Sequence, residues 1–303
     1  MLKILHTLLF SLTVATAWTQ IPELDYFHPT ICSTLGIRSV TVYQSNVDSA
    51  NARTTTGRSI RIAKNIDRQL TFDTNGRRTQ LRKFIRGGAM LQQTIDFSYS
   101  EAGLPTSEIM RLYHTNNVDS TKLIQSREKV FYHDNFGVPF ATVNYLISGQ
   151  QRIFVDSTAI EWGDSEPRIT KESVFVPESP QHPQQEKIYT YPDGKIIAAT
   201  VVNGQESKRD ECVLRDQWCP RQELNFVAND SIPRLETQFI YDAKDKLIEL
   251  RYLPDWKHFV RAETVVNRKN TYDRQGRLME ARLEYGDGKV TLELYDYSNE
   301  AEE

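Results

Sequence analysis

The sequence predicts an all-β protein built from antiparallel hairpin repeats, and three observations predict it. Polar and apolar residues alternate along several segments, as they do from Leu278 to Tyr285, which is the period of a strand with one wet and one dry face. The alternating segments are separated by short turns carrying Asp and Gly, residues that favour turn conformations for distinct backbone reasons. The chain is also rich in Tyr (14) and Phe (13), side chains that suit a pleated, half-buried surface.

The stretch Thr271 to Tyr297 shows the unit most completely. Met279, Ala281, Leu283 and Tyr285 form the expected dry parity of its first strand. Val290, Leu292 and Leu294 form that of the return strand, leaving Thr291, Glu293 and Tyr295 on the wet one. Asp273-Arg-Gln-Gly276 suits a type I turn with Asp first and Gly fourth, and Asp287-Gly288 suits a two-residue type I′ turn. Tyr-Asp, Gly-Arg-Leu and Gly-Asp-Gly-Lys followed by Tyr-Asp-Tyr resemble the YD repeats of Rhs-type and wall-associated bacterial surface proteins. The resemblance implies a spiralling sheet that can close into a shell. It supplies no catalytic residues to these positions.

Degenerate copies precede this one. Phe72-Asp73 with Gly76-Arg77, Tyr99 with Gly103-Leu104, and His133-Asp134 with Gly137-Val138 recur at about thirty residues, a spacing typical of repeat architectures. Tyr191 with Asp193-Gly194 continues the series, and Tyr241-Asp242 places Asp245 where the turn Gly would be. This divides the chain into a leader (1–17), an irregular cap region (18–69), one repeat block (70–176), a Pro/Gln-rich loop or linker (177–186) and a second block (187–303). The blocks are expected to be continuous, with one early strand over Arg38–Tyr43. A hairpin with one dry face cannot bury it alone, so the repeats must curl or stack into a curved or spiralling meander, an open barrel or a sandwich. A membrane-spanning barrel is the rival architecture. It requires an apolar lipid-facing band, whereas charges here fall on both parities, as from Arg77 to Lys83.

Lys3, the apolar run Ile4–Val14 and Ala15-Thr16-Ala17 read as a secretory leader. That places the mature chain in the periplasm, on the cell surface or outside the cell, with no later transmembrane segment. The net charge of −3, with Lys and Arg scattered, gives no basic stripe for nucleic acid. Export permits a disulfide, for which Cys212 and Cys219 are the candidates, leaving Cys32 buried and inert.

No catalytic, cofactor or metal motif is present. Carboxylate pairs such as Glu249 with Glu280, or Glu284 with Glu293, fall on the expected wet faces, and each turn offers too few acids for calcium. Trp162, Trp218 and Trp256 fall in breaks or turns and are the candidate partner-binding residues, since exposed aromatics stack on sugars and anchor proteins. The first functional expectation is therefore an exported, non-enzymatic β-repeat scaffold that binds a protein or a glycan. The alternatives are a periplasmic carrier with an apolar concave sheet face for a lipid or lipoprotein, and a glycan- or peptide-directed hydrolase.

Overall fold

The structure, a computed structural model, describes residues 27–47, 65–85, 88–114, 122–163, 168–215, 220–228, 230–254 and 265–299. The leader, Trp218, Cys219 and Trp256 lie outside the described residues. Among the described residues a short helix, α1 (Pro29–Thr34), precedes eighteen strands. They are β1 (Ser39–Val47), β2 (Asn65–Phe72), β3 (Arg78–Ile85), β4 (Met90–Tyr99), β5 (Pro105–Tyr113) and β6 (Leu123–His133). Then come β7 (Pro139–Ser148), β8 (Gln151–Trp162), β9 (Ile169–Phe175), β10 (Gln185–Thr190), β11 (Lys195–Val202) and β12 (Gln205–Leu214). The last six are β13 (Pro220–Val227), β14 (Leu235–Tyr241), β15 (Leu247–Pro254), β16 (Val265–Tyr272), β17 (Leu278–Tyr285) and β18 (Val290–Ser298).

Every strand pairs antiparallel with its sequence neighbours, and β1 pairs with both β2 and β18. The meander is therefore a closed barrel rather than an open spiral. The reason lies in the segment expected to be an irregular cap. It supplies β1 and the first part of β2, and β1 is hydrogen-bonded along its whole length to β18, from Ser39↔Ser298 to Val47↔Val290. Closure removes the two terminal edges that a curved segment would have exposed. The Pro/Gln-rich stretch joins β9 to β10, which are themselves paired, so the sheet runs on through both repeat blocks.

The repeat turns β2–β3, β4–β5, β6–β7, β14–β15 and β16–β17 all lie on one rim. In the turns at Asp73, Asp134, Asp242 and Asp273, the Asp carboxylate accepts from the backbone N–H groups two and four residues on. The fourth position has positive φ, at Gly76, Gly137, Asp245 and Gly276. Before each of these rim turns the register slips by one residue, at Thr71/Phe72, Ser98/Tyr99, Tyr132/His133, Ile240/Tyr241 and Thr271/Tyr272.

The bulge ahead of the last of these turns corrects the expected face assignment. It turns Leu278 inward (1% exposed) and Met279 outward (38%). On β18 the parity is the reverse of that expected: Thr291, Glu293 and Tyr295 point into the barrel. The Asp287-Gly288 turn has positive φ at the Gly only, so it is not type I′. That geometry belongs to Asn203-Gly204, where both residues have positive φ.

The tyrosines at three of these bulges, and Tyr297 at the end of β18, lock their hairpins to the one before. Tyr99, Tyr241, Tyr272 and Tyr297 donate their hydroxyls to the carbonyls of Arg78, Pro220, Leu247 and Leu278, at 2.7–3.0 Å. A cation from the preceding turn covers each ring: Arg77 on Tyr99, Arg215 on Tyr241, Lys246 on Tyr272 and Arg277 on Tyr297. Tyr, Asp, Gly and Arg of the repeat thus each have a structural task. Helix α1 seals part of this rim. Phe27, Cys32 and Ile37 pack onto Val40, Leu70, Leu278 and Tyr295, and the Cys32 thiol is pushed up to about 11 by burial.

Candidate functional site

The inner face is identified by a cavity of about 460 Å³ whose lining comes from seven successive strands, β6 to β12. Only a concave surface gathers that many neighbours. Following the register round the barrel places three pairs of opposite charge in a belt at mid-height. Glu108 lies opposite Lys129 on β5–β6, Glu172 lies opposite Lys187 on β9–β10, and Lys208 reaches Asp210 at 3.0 Å on β12. Lys129, Glu172, Lys187, Lys208 and Asp210 all line the cavity, together with Phe131, Ile160 and Val174. The concave face is therefore mixed, not apolar as expected. A closed lumen lets charges on the inward parity pair across strands, so they need not face bulk water.

Several groups in the belt are displaced from their ordinary ionisation. Burial, reinforced by Lys208, holds the Lys187 ammonium below the usual lysine range, against the pull of Glu172 and Asp210. Burial raises Glu108 against Lys129 and Arg78. On β13, burial and then the charge of Asp210 raise Glu223 to about 7. Asp210 itself is 1% exposed and also accepts from Asn225 at 3.0 Å. Tyr189 donates to Glu172 at 2.8 Å. Below the belt, toward the turn rim, Ile169, Tyr189 and Ala198 form a small apolar floor with Trp162 and Tyr191 against it.

Trp162 is consequently not a presented binding residue. Its indole N–H donates to the Pro139 carbonyl at 2.7 Å, the counterpart of the bond that Tyr99 makes to Arg78 two repeats earlier. It stands in the repeat Tyr place at the β8–β9 turn, and its distance of 29 residues from both His133 and Tyr191 is the sequence signal that it belongs to the series. Cys212 is a buried free thiol on β12, pushed up to about 12 by burial and by Glu223; its expected partner Cys219 is outside the described residues. Of the drawn carboxylate pairs, Glu284 pairs with Arg282 on the outer face, while Glu293 lies inside between Arg68 and Arg268. The barrel wall separates the two. Among the described residues no cluster of three or more potential ligands could hold a metal.

The outer face carries cross-strand polar ladders, including Gln80–Asp96–Arg111 and Lys171–Glu186, and the Arg282–Glu284 pair along β17. An apolar lipid-facing band round the whole circumference is incompatible with them. No helix among the described residues is long and apolar enough to cross a membrane.

No family model matches the chain, and no curated protein matches it. Among solved structures, it is similar to a porin-like protein from Bacteroides uniformis at 6% identity and a TM-score of 0.37, covering 86% of this chain and 96% of that one. A LolA superfamily protein from Nitrosomonas europaea aligns at 8% identity and a TM-score of 0.20, covering 91% and 92%. The Tc holotoxin pore of Photorhabdus luminescens aligns at 8% identity and a TM-score of 0.18, covering 74% of this chain and 14% of that one. None of these likenesses transfers a function to this chain.

Proposed function

We propose that the protein is an exported, non-enzymatic barrel that holds an amphiphilic ligand in its lumen, as a carrier or binding protein of the bacterial cell envelope. The observation that carries this reading is the cavity between β6 and β12. Phe131, Ile160 and Val174 offer an apolar surface to a chain or ring, and the Lys129, Lys187 and Lys208 ammoniums stand beside Glu172 and Asp210 to orient a polar end. The charged groups are matched to one another, which suits recognition rather than catalysis. Export rests on the leader from Lys3 to Ala17. Kinship with the YD-repeat proteins belongs to the same proposal, supported by the signature Tyr, Asp, Gly and Arg residues that build the rim here. The scaffold reading loses Trp162 as a presented contact and retains the non-enzymatic wall.

The test is a binding titration with a fluorescent fatty-acid analogue, alongside native mass spectrometry of the purified mature protein. Val174→Trp fills the cavity from the wall and is expected to weaken probe binding by about tenfold or more, with circular dichroism unchanged. A probe that binds wild type and filled variant equally would place the ligand elsewhere. Absence of both a bound probe and a co-purifying amphiphile would defeat the carrier reading.

A further inference from the structure

The exposed large hydrophobic side chains are not spread evenly round the wall. Leu123, Ile124, Ile153, Phe154 and Val155 are all exposed and gather where the β7–β8 hairpin and the start of β6 reach the rim opposite the repeat turns. The hairpin overhangs there. The last pairing of β8 with β9 is Ser157↔Phe175, so Gln151 to Phe154 and Asp156, which pair with β7, extend past the end of β9. Ile153 pairs opposite Leu146 and Phe154 opposite Tyr145, which puts these two neighbours on opposite faces, and both are open to solvent. The same tip carries Lys122, Arg127 and Arg152 on its surface. The acid beside it, Glu128, is 5% exposed and already paired with Arg152.

We propose that this tip docks on an anionic lipid surface. A rigid protein partner covers one face of a hairpin, whereas a bilayer interface surrounds both. Apolar side chains flanked by exposed cations match anionic headgroups over an acyl boundary. The edge of β8 before Ser157, which pairs with no strand on that side among the described residues, limits the depth, because its backbone groups must stay among headgroups and water rather than enter hydrocarbon. The cavity reaches the same rim at Gln185 and Ser207, both exposed, so docking would bring its mouth to the membrane. Lipid docking stands whether or not the lumen carries a ligand.

The test is flotation of the mature protein with vesicles of phosphatidylcholine mixed with phosphatidylglycerol, against phosphatidylcholine alone. Wild type is expected to float with the anionic vesicles and to be released by salt. Both the Ile153→Asp/Phe154→Asp and the Lys122→Glu/Arg127→Glu variants are expected to lose about tenfold in partitioning. Met279→Asp, at an exposed apolar side chain on the opposite rim, is expected to lose nothing. In Phe154→Trp, tryptophan emission is expected to shift to the blue on adding anionic vesicles and to stay put with neutral ones. The proposal is overturned if wild type does not float, if the tip variants float as it does, or if Phe154→Trp emission is indifferent to vesicles. A dimer in sedimentation that Phe154→Asp dissolves, without flotation of wild type, would assign the tip to a second copy of the chain.

Discussion

Two arcs of the barrel are built from the same hairpin and filled differently. In the arc from β16 through β1 to β3, the inner face is packed solid. Helix α1 covers it at the turn rim, and at mid-height Glu293 (5% exposed) lies between Arg68 and Arg268, with Tyr295 donating to it at 2.8 Å. In the arc from β6 to β12, the corresponding height holds opposite charges around a cavity, most of them half-buried. The rim lock is common to both: Tyr297 in the packed arc and Tyr191 in the open one donate to backbone carbonyls at 2.7 and 2.6 Å. The repeat therefore specifies the wall, and the residues between its signature positions decide whether the wall encloses a core or a space.

The largest expected effect tests the packed arc. Burial would raise the Glu293 carboxyl, yet Arg68, Arg268 and the Tyr295 hydroxyl hold it below the ordinary range. Glu293→Ala leaves two guanidiniums without their shared anion and is expected to cost about 3–5 kcal/mol. Glu172→Ala in the open arc removes a carboxylate that is half-buried and accepts from Tyr189; its expected cost is about 1 kcal/mol. Urea denaturation of the two variants measures the contrast. Equal losses would mean that the open arc is packed as tightly as the closed one.

A pair of glycines separates rim packing from backbone conformation. Gly76 and Gly194 have nearly the same positive φ, +74° and +70°. A Cβ at Gly194 meets nothing, whereas a Cβ at Gly76 overlaps the Pro29 carbonyl oxygen and crowds Ser33, both on α1. Gly194→Ala is expected to cost roughly 1–2 kcal/mol from the left-handed conformation alone. Gly76→Ala is expected to add about 1–3 kcal/mol of overpacking and to displace the helix. Faster alkylation of Cys32, which the helix keeps at 0% exposure, would report that displacement. Unchanged alkylation would show that α1 rides with the turn.

Much of this was legible in the sequence, and the misses have local causes. Alternation and Asp-x-x-Gly gave strands and turns because both are encoded within a few residues. Closure was not legible, since it depends on β1 meeting β18 across the length of the chain, and Ser39 to Val47 carries no mark of its partner. The inner parity of β18 was misread because hydrophobicity alone cannot distinguish a lumen lined with ion pairs from a solvated face. Trp162 was set apart by its residue type, although its spacing placed it in the Tyr series. The cavity draws on β6 through β12, and no single repeat contains it.

The smallest expected effect is the sharpest statement about the wall. If one brick builds both arcs, its lock should have the same worth wherever it sits. Tyr297→Phe and Tyr191→Phe each delete a hydroxyl and keep the ring under its cation, Arg277 at 5.2 Å and Arg168 at 5.0 Å. Each leaves a carbonyl, of Leu278 or Ile169, without its phenol donor. The expected loss is about 1 kcal/mol in both cases, the ordinary net value of a hydrogen bond. The sites lie on β18 and just after β10, with seven strands between them, so the double variant should lose the sum. A Tyr191→Phe cost near zero beside a full cost at Tyr297 would mean that the open arc is held by its contents rather than by its rim.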